Sequence, residues 1–257
     1  MSASMQNWLL INPNTSSAVT ARLWQRVQAQ LPADVACHCS TARFGAPYIA
    51  SEASYAVAAH AVLDAWHQFD QVRPQEAVQG YLVGCFGDPG VAALREVTGR
   101  PVIGLAEAAF AEAARHGRFA IVTGGACWES MLRKVALIQG YGPQLVGIHT
   151  LTASGAELTA QPEKAAQLLH HACRAVLEQC AADAVILGGA GLTGLADGWA
   201  DQLPCPLIDS VDAGVREMVR CAHDEEAGYR ASMRVQPHPD LLRWPREEGT
   251  ATAGGEG

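Results

Sequence analysis

"AVILGGAGLTG", residues 184–194, runs an apolar strand into a loop carrying four glycines. Gly189-Ala190-Gly191-Leu192-Thr193-Gly194 satisfies G-x-G-x-x-G by letter, and Asp209 follows at about the distance of a ribose-binding acid. A dinucleotide loop, however, opens a substantial βαβ unit. Here a weakly helical stretch, Leu195–Gln202 with Gly198 inside it, is all that separates the loop from the next strand. A second stretch of the chain explains the glycines better. "GYLVGCFGDPG" (80–90), followed by "RPVIGLAEAA" (100–109), has the same design as "DAVILGGAGLTG" (183–194), followed by "CPLIDSVDAG" (205–214). In each, a buried strand ends in a glycine-bearing loop, a short helix follows, and Pro leads into another short apolar strand. Aligning the strands sets Cys85 opposite Gly189 and Glu107 opposite Asp212.

The rest of the chain continues that alternation. Apolar strands are expected at Trp8–Ile11, Gly80–Gly84, Val102–Gly104, Phe119–Thr123, Leu145–His149, Ala184–Leu187 and Leu207–Ile208. Helical periodicity covers Ser17–Gln30, Glu52–Phe69, Pro89–Thr98 and Lys164–Cys180. Such alternation predicts an α/β fold of two similar lobes, each a mostly parallel sheet flanked by helices. The expected division is 1–104 plus 209–240 for the first lobe and 105–208 for the second. The Gly/Ala/Glu-rich tail 245–257 is expected to be disordered. Ligands of such sheets bind beyond the carboxyl ends of the strands, so the active site is expected in the cleft where the loops of the two lobes meet.

Composition narrows the partners. A formal net charge of −8 with no basic run disfavours nucleic acid and anionic membrane, which need concentrated Lys and Arg. The start, MSASMQNWLLINPNTS, has no basic n-region and only a short apolar run, so neither a signal peptide nor an anchor is expected and the reading is cytoplasmic. The eight cysteines then read as reduced thiols. Cys37-His38-Cys39 lacks a second ligand pair at zinc spacing and is better explained as strand alternation through Val35, Cys37 and Cys39. No metal is expected. The implied partner is a small molecule.

Cys85 lies between the end of a strand and the start of a helix for which Asp88 is a good N-cap and Pro89 a good first residue, with Gly99 closing it. Backbone amides and a helix dipole there would lower the thiol pKa. The bland alternative is a small buried hydrophobe.

Taken together, "LLINPNTS" (9–16), "GCFGDPG" (84–90), "RPVIGLAEAA" (100–109), "FAIVT" (119–123), "AVILGGAGL" (184–192) and "PLIDSV" (206–211) resemble the hydantoin and allantoin racemase group of the Asp/Glu/hydantoin racemase superfamily. The resemblance spans most of residues 8–220. It implies a cofactor-independent isomerase, usually assembled into oligomers, that inverts a small hydantoin, ureide or amino-acid-like substrate between two cysteines. One thiolate removes the proton while the opposing thiol returns one, and the roles exchange with direction. Cys85 matches the first cysteine. Asn12, Asn14, Thr15, Phe86, Gly87, Thr123, Gly124, Gly188, Ala190 and Gly191 are the candidate substrate-binding positions. Amides near Cys85–Gly87 and Gly188–Ala190, with Asn12, Asn14 and Thr123, supply donors for an enolate-like anion.

The chain departs from the resemblance at one place. The second cysteine belongs in a stretch typically reading L-G-C-A-G-[LM], and here Gly189 occupies that position. Three explanations stand. One is one-sided chemistry, such as decarboxylation and protonation from a single face, as in the superfamily's arylmalonate decarboxylases, which keep the opposite cysteine. Another is replacement of the thiol by a second group such as Cys127, whose bland reading is a buried helix-start residue. The third is ligand binding without turnover. Glu107 and Asp212 lie just past short strands and are possible accessory groups; Glu107 matches the racemase stretch and can equally cap the next helix.

Overall fold

The computed structural model describes residues 5–153 and 155–224. The expected tail 245–257, and the portion of the first lobe assigned to 225–240, lie outside the described residues.

Two parallel four-stranded sheets form the framework. The first comprises β1 (Gln6–Asn12), β2 (Val35–Thr41), β3 (Val78–Val83) and β4 (Val102–Gly104), in the order β2-β1-β3-β4. The second comprises β5 (Phe119–Gly124), β6 (Leu145–Leu151), β7 (Ala184–Gly188) and β8 (Leu207–Asp209), in the order β6-β5-β7-β8. The topology is the same in both halves, as the internal likeness predicts. Strands covered on both faces read as continuous apolar runs. Leu9, Leu10 and Ile11, and Val185, Ile186 and Leu187, are accordingly buried throughout.

The helices are α1 (Ser17–Gln28), α2 (Glu52–Val72), α3 (Val91–Thr98), α4 (Leu105–Ala114), α5 (Trp128–Ile138), α6 (Gly155–Ala160), α7 (Pro162–Gln179) and α8 (Ser210–His223). Helix α4, which follows the last strand of the first sheet, packs on β7 and β8 of the second. Helix α8 follows the last strand of the second sheet and returns to β3 and α1. This exchange fuses the halves. Leu10 and Leu82 of one sheet share a core with Ile121 and Ile186 of the other, joined by Phe110 of α4 and Val211, Val215 and Met218 of α8.

Two sequence expectations change. Helix α3 starts at Val91, not Pro89, with Gly90 at the cap position in a left-handed conformation (φ 75°). Asp88 itself has φ 58° and turns its carboxylate away from α3 onto the N-terminus of α4. The stretch Leu195–Gln202 forms no α-helix; short 3-10 turns at Ala190–Leu192 and Ala200–Gln202 take its place. Without a helix behind the glycines, the loop lacks the dipole that holds a pyrophosphate. Asp209 is also committed elsewhere. It caps α8 through the Val211 amide (2.8 Å) and accepts from the Gly194 amide (3.0 Å), fixing the loop to the sheet.

Candidate active site

The carboxyl ends of β3, β5 and β7 meet at a cavity of about 80 Å³, lined by segments of both halves. Cys85 lines one side, directly after β3 and Gly84; Gly188, the last residue of β7, and Gly189, Ala190, Gly191 and Leu192, which follow it, line another.

The Cys85 loop is tightly specified. The Gly87 and Asp88 amides both bond the Cys85 carbonyl, at 2.9 and 3.1 Å, and the Tyr55 hydroxyl donates to the Gly87 carbonyl at 2.7 Å. The Asp88 carboxylate accepts from the Ala106 and Glu107 amides (2.8 Å each) and from Gln139 Nε2 (3.0 Å). Cys85 is 7% exposed. Burial, and after it the Asp88 charge, push Cys85 well above the ordinary thiol range. The expected lowering by a helix dipole is therefore corrected: residues 86–90 separate Cys85 from α3, and the nearby carboxylate acts with the opposite sign. At neutral pH the resting group is the thiol.

Opposite it, Gly189 has φ 139° and ψ 128°, a region that L side chains rarely adopt. Its amide donates to Ser210 Oγ (3.2 Å) and its carbonyl accepts from the Leu192 amide (2.9 Å). Gly188 has no room for a side chain, because a Cβ there would enter the Phe86 ring. The Phe86 ring in turn packs edge-on against Phe110, centroids 5.9 Å apart.

The donors expected around an enolate divide into engaged and open groups. Asn12 is fully buried behind the cavity, its Nδ2 donating to Asn14 Oδ1, the Ser16 carbonyl and Thr20 Oγ1. Asn14 lines the cavity; its Oδ1 accepts from Asn12 and from the Ser16 amide, and its Nδ2 has no partner among the described residues. Thr15 and Gly87 stand outside the lining: the Thr15 amide bonds the Ala46 carbonyl, and Gly87 lies under the Trp128 ring. Thr123 lines the cavity with a hydroxyl that has no partner among the described residues, and the carbonyl of neighbouring Gly124 accepts from the Tyr48 hydroxyl at 3.0 Å. The Gly189 amide is taken by Ser210, while the Phe86 and Ala190 amides have no partner among the described residues. Those two residues occupy equivalent places in the repeat, each one past the Cys85 or Gly189 position.

Neither accessory acid lines the cavity. Glu107 serves α4: its carboxylate accepts from the Gly104 amide and pairs with Arg95. Burial and the Asp88 charge push Glu107 up to about 7, against the pull of Arg95. Asp212, at the matching place on α8, pairs with Arg26 of α1 through two 2.6 Å bonds. Cys127 precedes α5, is exposed and stands outside the lining, so both its suggested approach to the cleft and its reading as a buried residue are corrected.

Sequence reasoning missed an apolar wall: Val19, Pro47, Tyr48, Ile49 and Trp128. Trp128 is fixed by its indole N–H on the Ile49 carbonyl (3.1 Å). Pro47–Ile49 belongs to the β2–α2 connection, whose aperiodic "ARFGAPYIA" (42–50) offered only its Pro and aromatics as a signal.

The chain is similar to known proteins over most of its length. The family described as Asp/Glu/Hydantoin racemase matches residues 9–218. A hydantoin racemase of Pseudomonas sp. (strain NS671) is 29% identical over 210 residues, covering 80% of this chain and 82% of that protein. The structure of an allantoin racemase from Klebsiella pneumoniae superposes with a TM-score of 0.79 at 29% identity, covering 94% of this chain and 95% of the other. That of Pseudomonas fluorescens gives a TM-score of 0.83 at 20% identity, with 91% and 98% covered.

Proposed function

The chain belongs to the Asp/Glu/hydantoin racemase family, and from that premise we propose that it is an isomerase acting on a small hydantoin or ureide, without a cofactor, by proton transfer through Cys85. The observation that carries this reading is the Cys85 thiol in a small two-lobed cavity, facing a loop that offers backbone but no side chain at Gly189.

The substrate's acidic carbon lies beside a carbonyl, so deprotonation yields an enolate-like anion. The open amides of Phe86 and Ala190 and the Asn14 Nδ2 are donors suited to that oxygen. Cys85 as thiolate takes the α-proton, and as thiol returns it. Burial makes the thiolate scarce at neutral pH, yet a raised pKa also makes it a stronger base toward a weakly acidic C–H. On the opposite face Gly189 supplies no proton carrier, so inversion is slower than exchange at the Cys85 face.

The test is solvent exchange in heavy water across hydantoin, allantoin and free amino-acid substrates, with wild type beside Cys85→Ser. Deuterium entering the α-position of a hydantoin or ureide, and its loss in Cys85→Ser, supports the reading. Binding without exchange refutes it and leaves a non-catalytic binder. The bare Gly189 position also suits one-face decarboxylation, in which loss of CO₂ leaves a carbanion protonated by Cys85; CO₂ release from a malonate-type acid would favour that reading instead.

A further inference from the structure

The loops that face each other across the cavity are held in different ways. The Cys85 loop is pinned from inside by the buried Asp88 carboxylate and by Tyr55. The Gly189 loop is tied at its base by Ser210 and Asp209. Its outer arm is held at the surface, by an arginine of the other half.

Arg26 lies on α1 seven residues beyond Val19, so the two share a helix face, and Val19 lines the cavity. The Arg26 guanidinium is divided between two carboxylates. Nε and Nη2 donate to Asp212 at 2.6 Å each; Nη1 and Nη2 donate to Asp197 at 2.7 and 2.9 Å. Asp212 sits in the first turn of α8, is 16% exposed at its side chain and also accepts from Gln30 Nε2 at 2.7 Å. That half is an anchor. Asp197 is 59% exposed and belongs to the same loop as Ala190–Leu192, linked to it through the Leu195–Leu192 and Asp197–Gly194 backbone bonds. That half is open to solvent.

We propose that Arg26 is a positioning residue: anchored on Asp212, it grips Asp197, holds the Gly189–Leu192 wall closed against α1, and admits substrate when the Arg26–Asp197 pair opens. The Gly189 side is then the moving side of the cavity and the Cys85 side the fixed one. A lysine cannot replace Arg26, because one ammonium lacks the planar fork that serves two carboxylates at once.

The kinetic part of this proposal rests on the function proposed above; the structural part does not. Hydrogen exchange of the full chain, with Asp197→Asn and Arg26→Lys beside wild type, separates them. In both variants the amides of Leu192, Gly194, Leu195 and Asp197 are expected to exchange about two- to fivefold faster, the change a well-aligned surface ion pair supports. Protection in α1 and α8 stays unchanged, and KM for the hydantoin rises by a similar factor with kcat nearly constant. Salt at about 0.5 M should reproduce the loop effect in wild type by screening. Unchanged loop exchange in both variants overturns the proposal. So does protection lost equally from α1 and α8, the mark of a merely structural ion pair. If wild type shows no turnover, the functional reading fails separately: faster loop exchange still supports the clamp, and none overturns it.

Discussion

Placing a thiol at Gly189 is the perturbation whose outcome the structure defines best. A Cβ built on Gly189 meets Leu192 Cγ at 3.4 Å, Leu192 Cδ1 at 3.5 Å and Thr123 Oγ1 at 3.9 Å, which is ordinary contact and not overlap. Neighbouring Gly188 differs, since any side chain there enters Phe86. The penalty for Gly189→Cys is therefore conformational: φ 139° is strained for an L residue, costing on the order of 1–3 kcal/mol. At roughly 2–4 °C per kcal/mol for a domain of this size, Tm should fall by about 2–12 °C with the fold retained. The gain is a second proton carrier facing Cys85. A positioned general acid or base contributes about 10²–10⁴-fold, so inversion of a single hydantoin enantiomer should quicken by at least about 100-fold. Polarimetry on one enantiomer, corrected for buffer-catalysed inversion, reads the rate; thermal unfolding reads the strain; substrate-protected alkylation confirms that the new thiol is in the cavity. A folded Gly189→Cys protein with a substrate-protected second thiol and an unchanged inversion rate would refute the reasoning.

Two further outcomes follow from the buried carboxylates. Asp88 raises the Cys85 pKa, so Asp88→Asn, which keeps an acceptor and removes the charge, should move the rise of Cys85 alkylation rate with pH to lower pH; a limb that stays in place would show that the charge is not felt at the thiol. Glu107 is pushed from 4.5 up to about 7 in the folded chain, first by burial and then by Asp88. The native state thus binds this proton more tightly than the unfolded chain, and the associated stability is fully present below about 4.5 and declines as pH rises through 7. Urea midpoints measured between those pH values should slope less steeply for Glu107→Gln than for wild type, and parallel slopes would contradict the assignment.

The framework was legible because both central strands of each sheet are buried on two faces and so read as unbroken apolar runs. The matched pair "GYLVGCFGDPG" and "DAVILGGAGLTG" likewise disclosed the two-fold repeat, and with it the two loops that line one cavity. What was not legible depends on distant partners. Asp88 is a plausible local N-cap, yet its carboxylate serves amides 18 and 19 residues away, which reverses the electrostatic sign at Cys85. Asp212 lies just past a short strand, where a side chain could approach a cleft, but Arg26, 186 residues earlier, claims it. Pro47, Tyr48 and Ile49 lie in a connection without periodicity, where local sequence carries no sign of which way a side chain faces.

The central claim is that Cys85 carries the proton at one face of the substrate. A single enantiomer of a 5-substituted hydantoin, incubated in heavy water with wild type and with Cys85→Ser, tests it most directly. The account predicts that in wild type one enantiomer gains α-deuterium faster than it inverts, and that Cys85→Ser drops to the buffer rate. Exchange that persists at the wild-type rate in Cys85→Ser would contradict it.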